Sequence, residues 1–140
     1  MYVTKEDWLA EAVEKLRPVF KNVGCPVGAI TVSIEANLTK GALGTCAQTS
    51  GGHHISIHSV LIAKTVLPVL VHEMLHAAVG LEEGHRGKFA QVGNQIGLWV
   101  SKEQHRTEYG ACAFKLHNLL RMLEMVLGPY PSLDKGKQLV

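Results

Sequence analysis

Apolar positions recur at helical spacing from the start of the chain. Wound at about 3.6 residues per turn, residues 5–20 place Trp8, Leu9, Ala12, Val13, Leu16 and Phe20 on one face. Thr4 is positioned to cap this helix, with Asp7 three residues on as its capping partner, and Pro18 and Gly24 limit its end. The period then changes. Over residues 29–36, Ile30, Val32 and Ile34 alternate with Thr31, Ser33 and Glu35, the pattern of a half-buried strand. A second strand is expected near 43–48 and a third over 53–58, where Ile55 and Ile57 share a face. Ser50-Gly51-Gly52 between them is a turn signal and makes these two an antiparallel hairpin.

Helical spacing returns after Ser59. A helix with Pro68 in its first turn runs to Gly80; a shorter helix over 59–66 either precedes it or is continuous with it. Another helix is expected over 86–98, presenting Phe89, Val92, Ile96 and Leu98. A last one over 111–127 presents Phe114, Leu116, Leu119, Leu120, Leu123, Val126 and Leu127 and is stopped by Gly128-Pro129. The tail from Tyr130 is expected to be ordered only where it docks. With no internal repeat or linker, residues 1–140 predict one α+β domain: an N-terminal helix, a small and mainly antiparallel sheet, and C-terminal helices.

Composition narrows the class. Hydrophobic residues at 46% and charged residues at 19% are the balance of a chain that buries a core. A formal charge of +2 gives no electrostatic case for nucleic acid or an acidic membrane. The longest apolar stretch, 65–79, is broken by Pro68, His72, Glu73 and His76 and is too short and polar to span a bilayer. The first residues do not read as a signal peptide, so a cytoplasmic location and no membrane partner are expected. Cys25, Cys46 and Cys112 form no C-x-x-C pair, which points to reduced thiols rather than a disulfide framework or a zinc ribbon.

Against this ordinary background stands His72-Glu73-Met74-Leu75-His76. Eight His and ten Glu in 140 residues yield only about 0.03 chance occurrences of H-E-x-x-H, and this one falls inside a helical stretch. Residues i and i+4 of a helix share a face, so His72 and His76 can bind one Zn²⁺, while Glu73 projects beside it as general base for a metal-activated water. A catalytic zinc usually takes three protein ligands. His85, beyond the loop and opening the next helix, is the preferred third; Glu82 and Glu83 in the same loop are its rivals. The spacing does not fit the metzincin pattern, because Glu82 stands where that pattern has its third histidine.

L-V-H-E-M-L-H-A-A at residues 70–78, G-H-R-G-K-F at 84–89 and Ile96-Gly97-Leu98 together resemble the SprT-like zinc metallopeptidases, which share the core of the Spartan-type DNA–protein crosslink proteases. The resemblance covers roughly residues 30–98. It implies a zincin-like fold, zinc on His72, His76 and His85, Glu73 as base, and a protein or peptide substrate, DNA-associated proteins included. The ending L-G-P-Y-P at 127–131 is similar to that of compact phage-encoded members, which would place the protein in a host cytoplasm. The C-terminal four-cysteine ribbon of many SprT-like proteins has no counterpart here.

His53, His54 and His58 form a second histidine group, readable as exposed strand positions, as a metal site or as cleft lining; their strand could also pair with an extended peptide. His105, Arg106 and Tyr109 are candidates to stabilise an oxyanion, and Trp8 and Trp99 read as packing residues. The sequence thus points to metal-dependent peptide hydrolysis. A zinc-bearing binding or regulatory module in DNA metabolism is the alternative, and metal-assisted hydrolysis of a non-peptide amide or ester a third reading.

Overall fold

In a computed structural model, residues 2–38, 41–101, 106–112 and 114–135 are described, with residues 83, 99–101 and 106–112 described by backbone alone. The first helix, α1, spans Lys5–Lys21. Thr4 caps it, its Oγ1 accepting from the Asp7 amide at 3.2 Å. Pro18 sits in the last turn without ending the helix. Trp8, Leu9, Ala12, Leu16 and Phe20, the stripe read from the sequence, are fully buried.

Three strands follow: β1 (Ile30–Glu35), β2 (Gly44–Gln48) and β3 (His53–His58). Their spatial order is β1-β3-β2. β2 and β3 are the expected antiparallel hairpin, with Cys46 opposite Ile55. β1, however, runs parallel to β3, with Val32 opposite Ile55 and Ile34 opposite Ile57. The expectation of a mainly antiparallel sheet is corrected at this pairing. The hairpin docks on β1 through its second strand, which leaves β2 on the outside. Alternation sends Ile55 and Ile57 into the core and Thr31, Ser33, His54 and Ser56 to the opposite face.

The helix α2 is one continuous element, Ala63–Val79. It begins a turn earlier than Pro68 alone suggests, and Pro68 lies within it. It packs with α1 against the sheet and is buried at every position from Val66 to Leu75. A single 3-10 turn at Leu81–Glu83 precedes α3 (Lys88–Ile96), shorter at both ends than the expected 86–98. Residues 98–101 and 106–112 depart from the sequence reading. They form two antiparallel strands, β4 (Leu98–Ser101) and β5 (Arg106–Cys112), where the local pattern predicts none. The last helix, α4, consequently starts at Phe114 and runs to Leu127.

The tail docks on the start of α1. The Trp8 Nε1 donates to the Gly128 carbonyl at 3.1 Å, the Tyr130 ring meets the Trp8 ring edge-on at 4.9 Å, and the Lys5 amide donates to the Leu133 carbonyl at 2.8 Å. The Lys135 amide in turn donates to the buried Glu6 carboxylate at 3.1 Å. Residues 128–135 therefore pack against the first turns of α1, and α4 is buried through Leu116, Leu120, Leu123 and Leu127. No helix among the described residues is long and apolar enough to cross a membrane.

Candidate metal centre

His72, Glu73 and His76 lie in the second half of α2, and the uninterrupted helix puts the two histidines one turn apart on the same face. The chain then reverses. Gly84 (φ 59°, ψ −131°) and Gly87 (φ 54°, ψ −123°) bracket His85 and Arg86 in backbone conformations that a Cβ disfavours. Two such residues three apart make a turn tight enough to bring His85 back over α2. His85 thus stands in the turn before α3, three residues ahead of Lys88, rather than opening the helix as expected.

The three imidazoles converge. One ligand atom from each of His72, His76 and His85 lies within 4.8 Å of the others. Their ring centres are 4.9 Å (His72–His76), 4.9 Å (His72–His85) and 5.1 Å (His76–His85) apart. Three imidazoles bound to one zinc at roughly 2.0–2.1 Å with tetrahedral angles have ring centres about 5 Å apart. The set fits a metal ion by that measure. A second observation agrees: His76 Nδ1 is buried with no hydrogen-bond partner among the described residues, a state that costs free energy unless something ligates or bonds the ring. The fully buried Phe89, on α3, contacts all three rings, at 5.3, 4.4 and 5.0 Å from His72, His76 and His85. It closes the centre on the core side.

Burial sets the protonation states. It lowers His72 to about 2, with the neighbouring His76 and His85 adding to the effect, and lowers His76 to about 4, helped by His85. Both rings are neutral at pH 7, which is the ligating form. Burial also raises Glu73 to about 8. Its Oε2 lies 3.9 Å from His72 Nε2, but with that imidazole neutral the contact is not an ion pair. A cation held by the histidines acts in the opposite sense, since nearby positive charge favours the carboxylate.

The rivals for third ligand separate. The position a Gly80 Cβ would take lies 2.6 Å from Glu82 Oε1, so the Glu82 carboxylate is folded back over Gly80, and it is not in the convergent set. The Glu83 side chain lies outside the described residues. So do the oxyanion candidates, His105 and the side chains of Arg106 and Tyr109, and the side chain of Trp99. The second histidine group does not assemble. His54 bonds Thr31 Oγ1 at 2.6 Å and Ser33 Oγ at 2.8 Å, and His58 Nδ1 accepts from the Val60 amide at 3.0 Å. Nor can β3 pair with an extended peptide, the further option its sequence offered, because β1 and β2 occupy both of its edges.

A cleft of about 390 Å³ opens over the three histidines and Glu73, and its far wall is residues 41–46, the approach to β2 and its first half. Two residues there carry no sequence motif. Gly44 lies hard against α2: a Cβ on it would sit 2.8 Å from Val69 Cγ1, 3.1 Å from Glu73 Cγ and 3.2 Å from Glu73 Oε2. The half-buried Cys46, a free thiol, also lines the cleft; burial pushes it up to about 12, with the Glu73 carboxylate adding to the rise. The only sequence signal for Gly44 is a glycine at the start of a strand, a common mark of close backbone approach. Comparison with protein-family models, with curated proteins and with solved structures finds no significant match.

Proposed function

We propose that this chain is a zinc metallopeptidase with the zincin-like arrangement implied by its resemblance to the SprT-like family. His72, His76 and His85 hold the metal, Glu73 is the general base, and a protein or peptide is the substrate. The observation that carries this reading is the convergence of three imidazoles beside the buried Glu73 carboxyl group at the floor of an open cleft.

Zinc bound there supplies Lewis acidity, which acidifies water and polarises a carbonyl. The remaining work falls to the chain. Glu73 takes the proton of the attacking water and passes it to the leaving amine, and its buried position keeps that proton from bulk solvent. Only three ligating residues converge among the described residues, which leaves a position for substrate, as catalytic rather than structural zinc sites do. β2 borders the cleft, and its outer edge carries no strand among the described residues. An extended peptide can pair with that edge and present its carbonyl to the centre.

Elemental analysis should find one zinc per chain. A chelator should abolish cleavage of an unfolded protein substrate, and one equivalent of zinc should restore it. Zinc-replete protein that leaves unfolded and DNA-bound protein substrates intact would overturn the peptidase assignment in favour of a binding module.

Gly44→Ala tests the wall of the cleft. The added methyl must displace Val69 or Glu73, an overpacking that costs about 1–3 kcal/mol. We expect stoichiometric zinc and a loss of turnover of at least about tenfold, since small misplacements of a reacting group are costly. Unchanged kcat in a variant of normal stability would show that Glu73 is not held by this contact.

A further inference from the structure

Docking of the tail on α1 encloses two carboxyl groups. Glu6, in the first turn of α1, is 8% exposed, and Asp134, on the tail, is 7% exposed. The backbone on either side of Asp134 is fixed to the start of α1. Leu133 bridges to Thr4, and the Lys135 amide spans both oxygens of Glu6 at 3.1 Å. The Asp134 side chain itself has no hydrogen bond or ion pair among the described residues. Nor does a cation among them pair with either carboxyl group. The Lys5 ammonium reaches the Ser59 carbonyl at 3.4 Å and lies over the Tyr130 ring at 5.4 Å, while the Lys135 ammonium reaches Asp7 at 3.8 Å.

A separate observation points to the same place. The Tyr130 hydroxyl is buried with no hydrogen-bond partner among the described residues. Burial raises its pKa, and Glu6 and Asp134 raise it further, so the hydroxyl faces both carboxyl groups. Enclosed carboxylates without a counter-ion, beside an unsatisfied hydroxyl, are costly in a folded chain. Such groups persist where a charged partner or a metal ion meets them.

We propose that Glu6, Asp134 and Tyr130 form a calcium site that pins the C-terminal tail to α1. Carboxylate and hydroxyl oxygens are hard donors, which suit Ca²⁺ or Mg²⁺ rather than a metal that prefers nitrogen or sulfur. Ca²⁺ accepts irregular sets of oxygens and completes its shell with carbonyls and water, whereas Mg²⁺ demands a near-ideal octahedron. Donors from a helix turn and from a tail outside any helix or strand fit the first. The Lys135 amide occupies only part of the Glu6 carboxylate, which offers about four lone-pair sites. One Ca²⁺ balances the charge of both carboxylates. Two carboxylates are few for such a site, so the dissociation constant falls at about 10⁻⁴–10⁻³ M. The site is separate from the histidine cleft, whose residues lie on α2, in the turn carrying His85 and around β2. It does not depend on the metallopeptidase reading.

Thermal melts of the full chain with one equivalent of zinc test it. Calcium chloride at about 10 mM should raise the melting temperature by at least about 3 °C. Tb³⁺, a luminescent substitute for Ca²⁺, should show emission sensitised by Trp8 and Tyr130, whose rings are 4.9 Å apart, and excess Ca²⁺ should displace it. Asp134→Asn and, separately, Glu6→Gln should each weaken Ca²⁺ binding at least about tenfold and remove the thermal gain. Asp134→Asn keeps the shape of a side chain that bonds nothing among the described residues, so without calcium it should melt no lower than wild type. A wild-type chain that calcium does not stabilise, and that sensitises no Tb³⁺ emission, overturns the proposal. So does a calcium response that both variants keep. So does stability that follows pH alone, with one proton shared between the two carboxyl groups in place of the ion.

Discussion

Glu73→Gln is expected to keep one equivalent of zinc and to lower peptide hydrolysis by roughly a hundred- to ten-thousandfold, the range for removing a positioned general base. The substitution preserves shape in a fully packed place, since Glu73 is 3% exposed and lies against Gly44. An amide cannot take a proton from water, so the loss should fall on kcat rather than on KM. A second consequence separates chemistry from folding. Burial holds the Glu73 carboxyl at about 8 in the folded chain against 4.5 for an ordinary one. The folded state therefore binds the proton more tightly, and the contribution of that group is fully present below 4.5 and is lost as pH rises through 8. E73Q has no such group. In the metal-free state its melting temperature should match wild type near pH 4 and exceed it near pH 9. Metal-free melts that show no gain at high pH would mean that Glu73 is not desolvated as the structure has it. Retained turnover would remove it as the base.

His85→Ala is expected to weaken zinc binding by at least about a hundredfold, more than the loss of an outer-shell partner costs, and to abolish hydrolysis at limiting zinc. His72 and His76 alone offer two ligands, and two rarely hold zinc. The side chain is half-exposed in a glycine-bracketed turn, so its removal should leave the fold intact. Glu82→Ala is the matched control: with its carboxylate over Gly80, that variant should bind zinc normally. Competition against a chromophoric chelator measures both. Normal affinity in H85A with a loss in the Glu82 variant would exchange the two roles.

The candidate metal ligands are legible in the sequence because their chemistry is local. His72 and His76 need only a helix beneath them, and the apolar residues from Val66 onward supply that whatever the rest of the fold. His85 is legible as a candidate, but choosing it over Glu82 requires the backbone. Gly84 and Gly87 at positive φ turn one side chain toward the centre, while the Glu82 carboxylate folds back over Gly80. Gly44 carries only the general signal of a glycine at the start of a strand, and Cys46 carries none. They reach the cleft from about 30 residues upstream, through a pairing of β2 with β3 that brings the outer strand over α2.

Taken alone, the sequence determined the elements whose period is long and regular: the stripe of α1, the alternation of β1 and β3, and the helix that carries His72-Glu73-Met74-Leu75-His76. Periodicity dictates which side of an element is buried, and that is a property of the element itself. It did not determine which elements touch. The parallel pairing of β1 with β3, the placing of β2 as the outer strand beside the cleft, the strands β4 and β5 in place of a gap, and the docking of the tail on Trp8 were decided by tertiary structure. Each of these depends on contacts between residues far apart in the chain, and many such pairings satisfy the same local pattern equally well. Packing around the shared core of α1, α2 and the sheet selects among them.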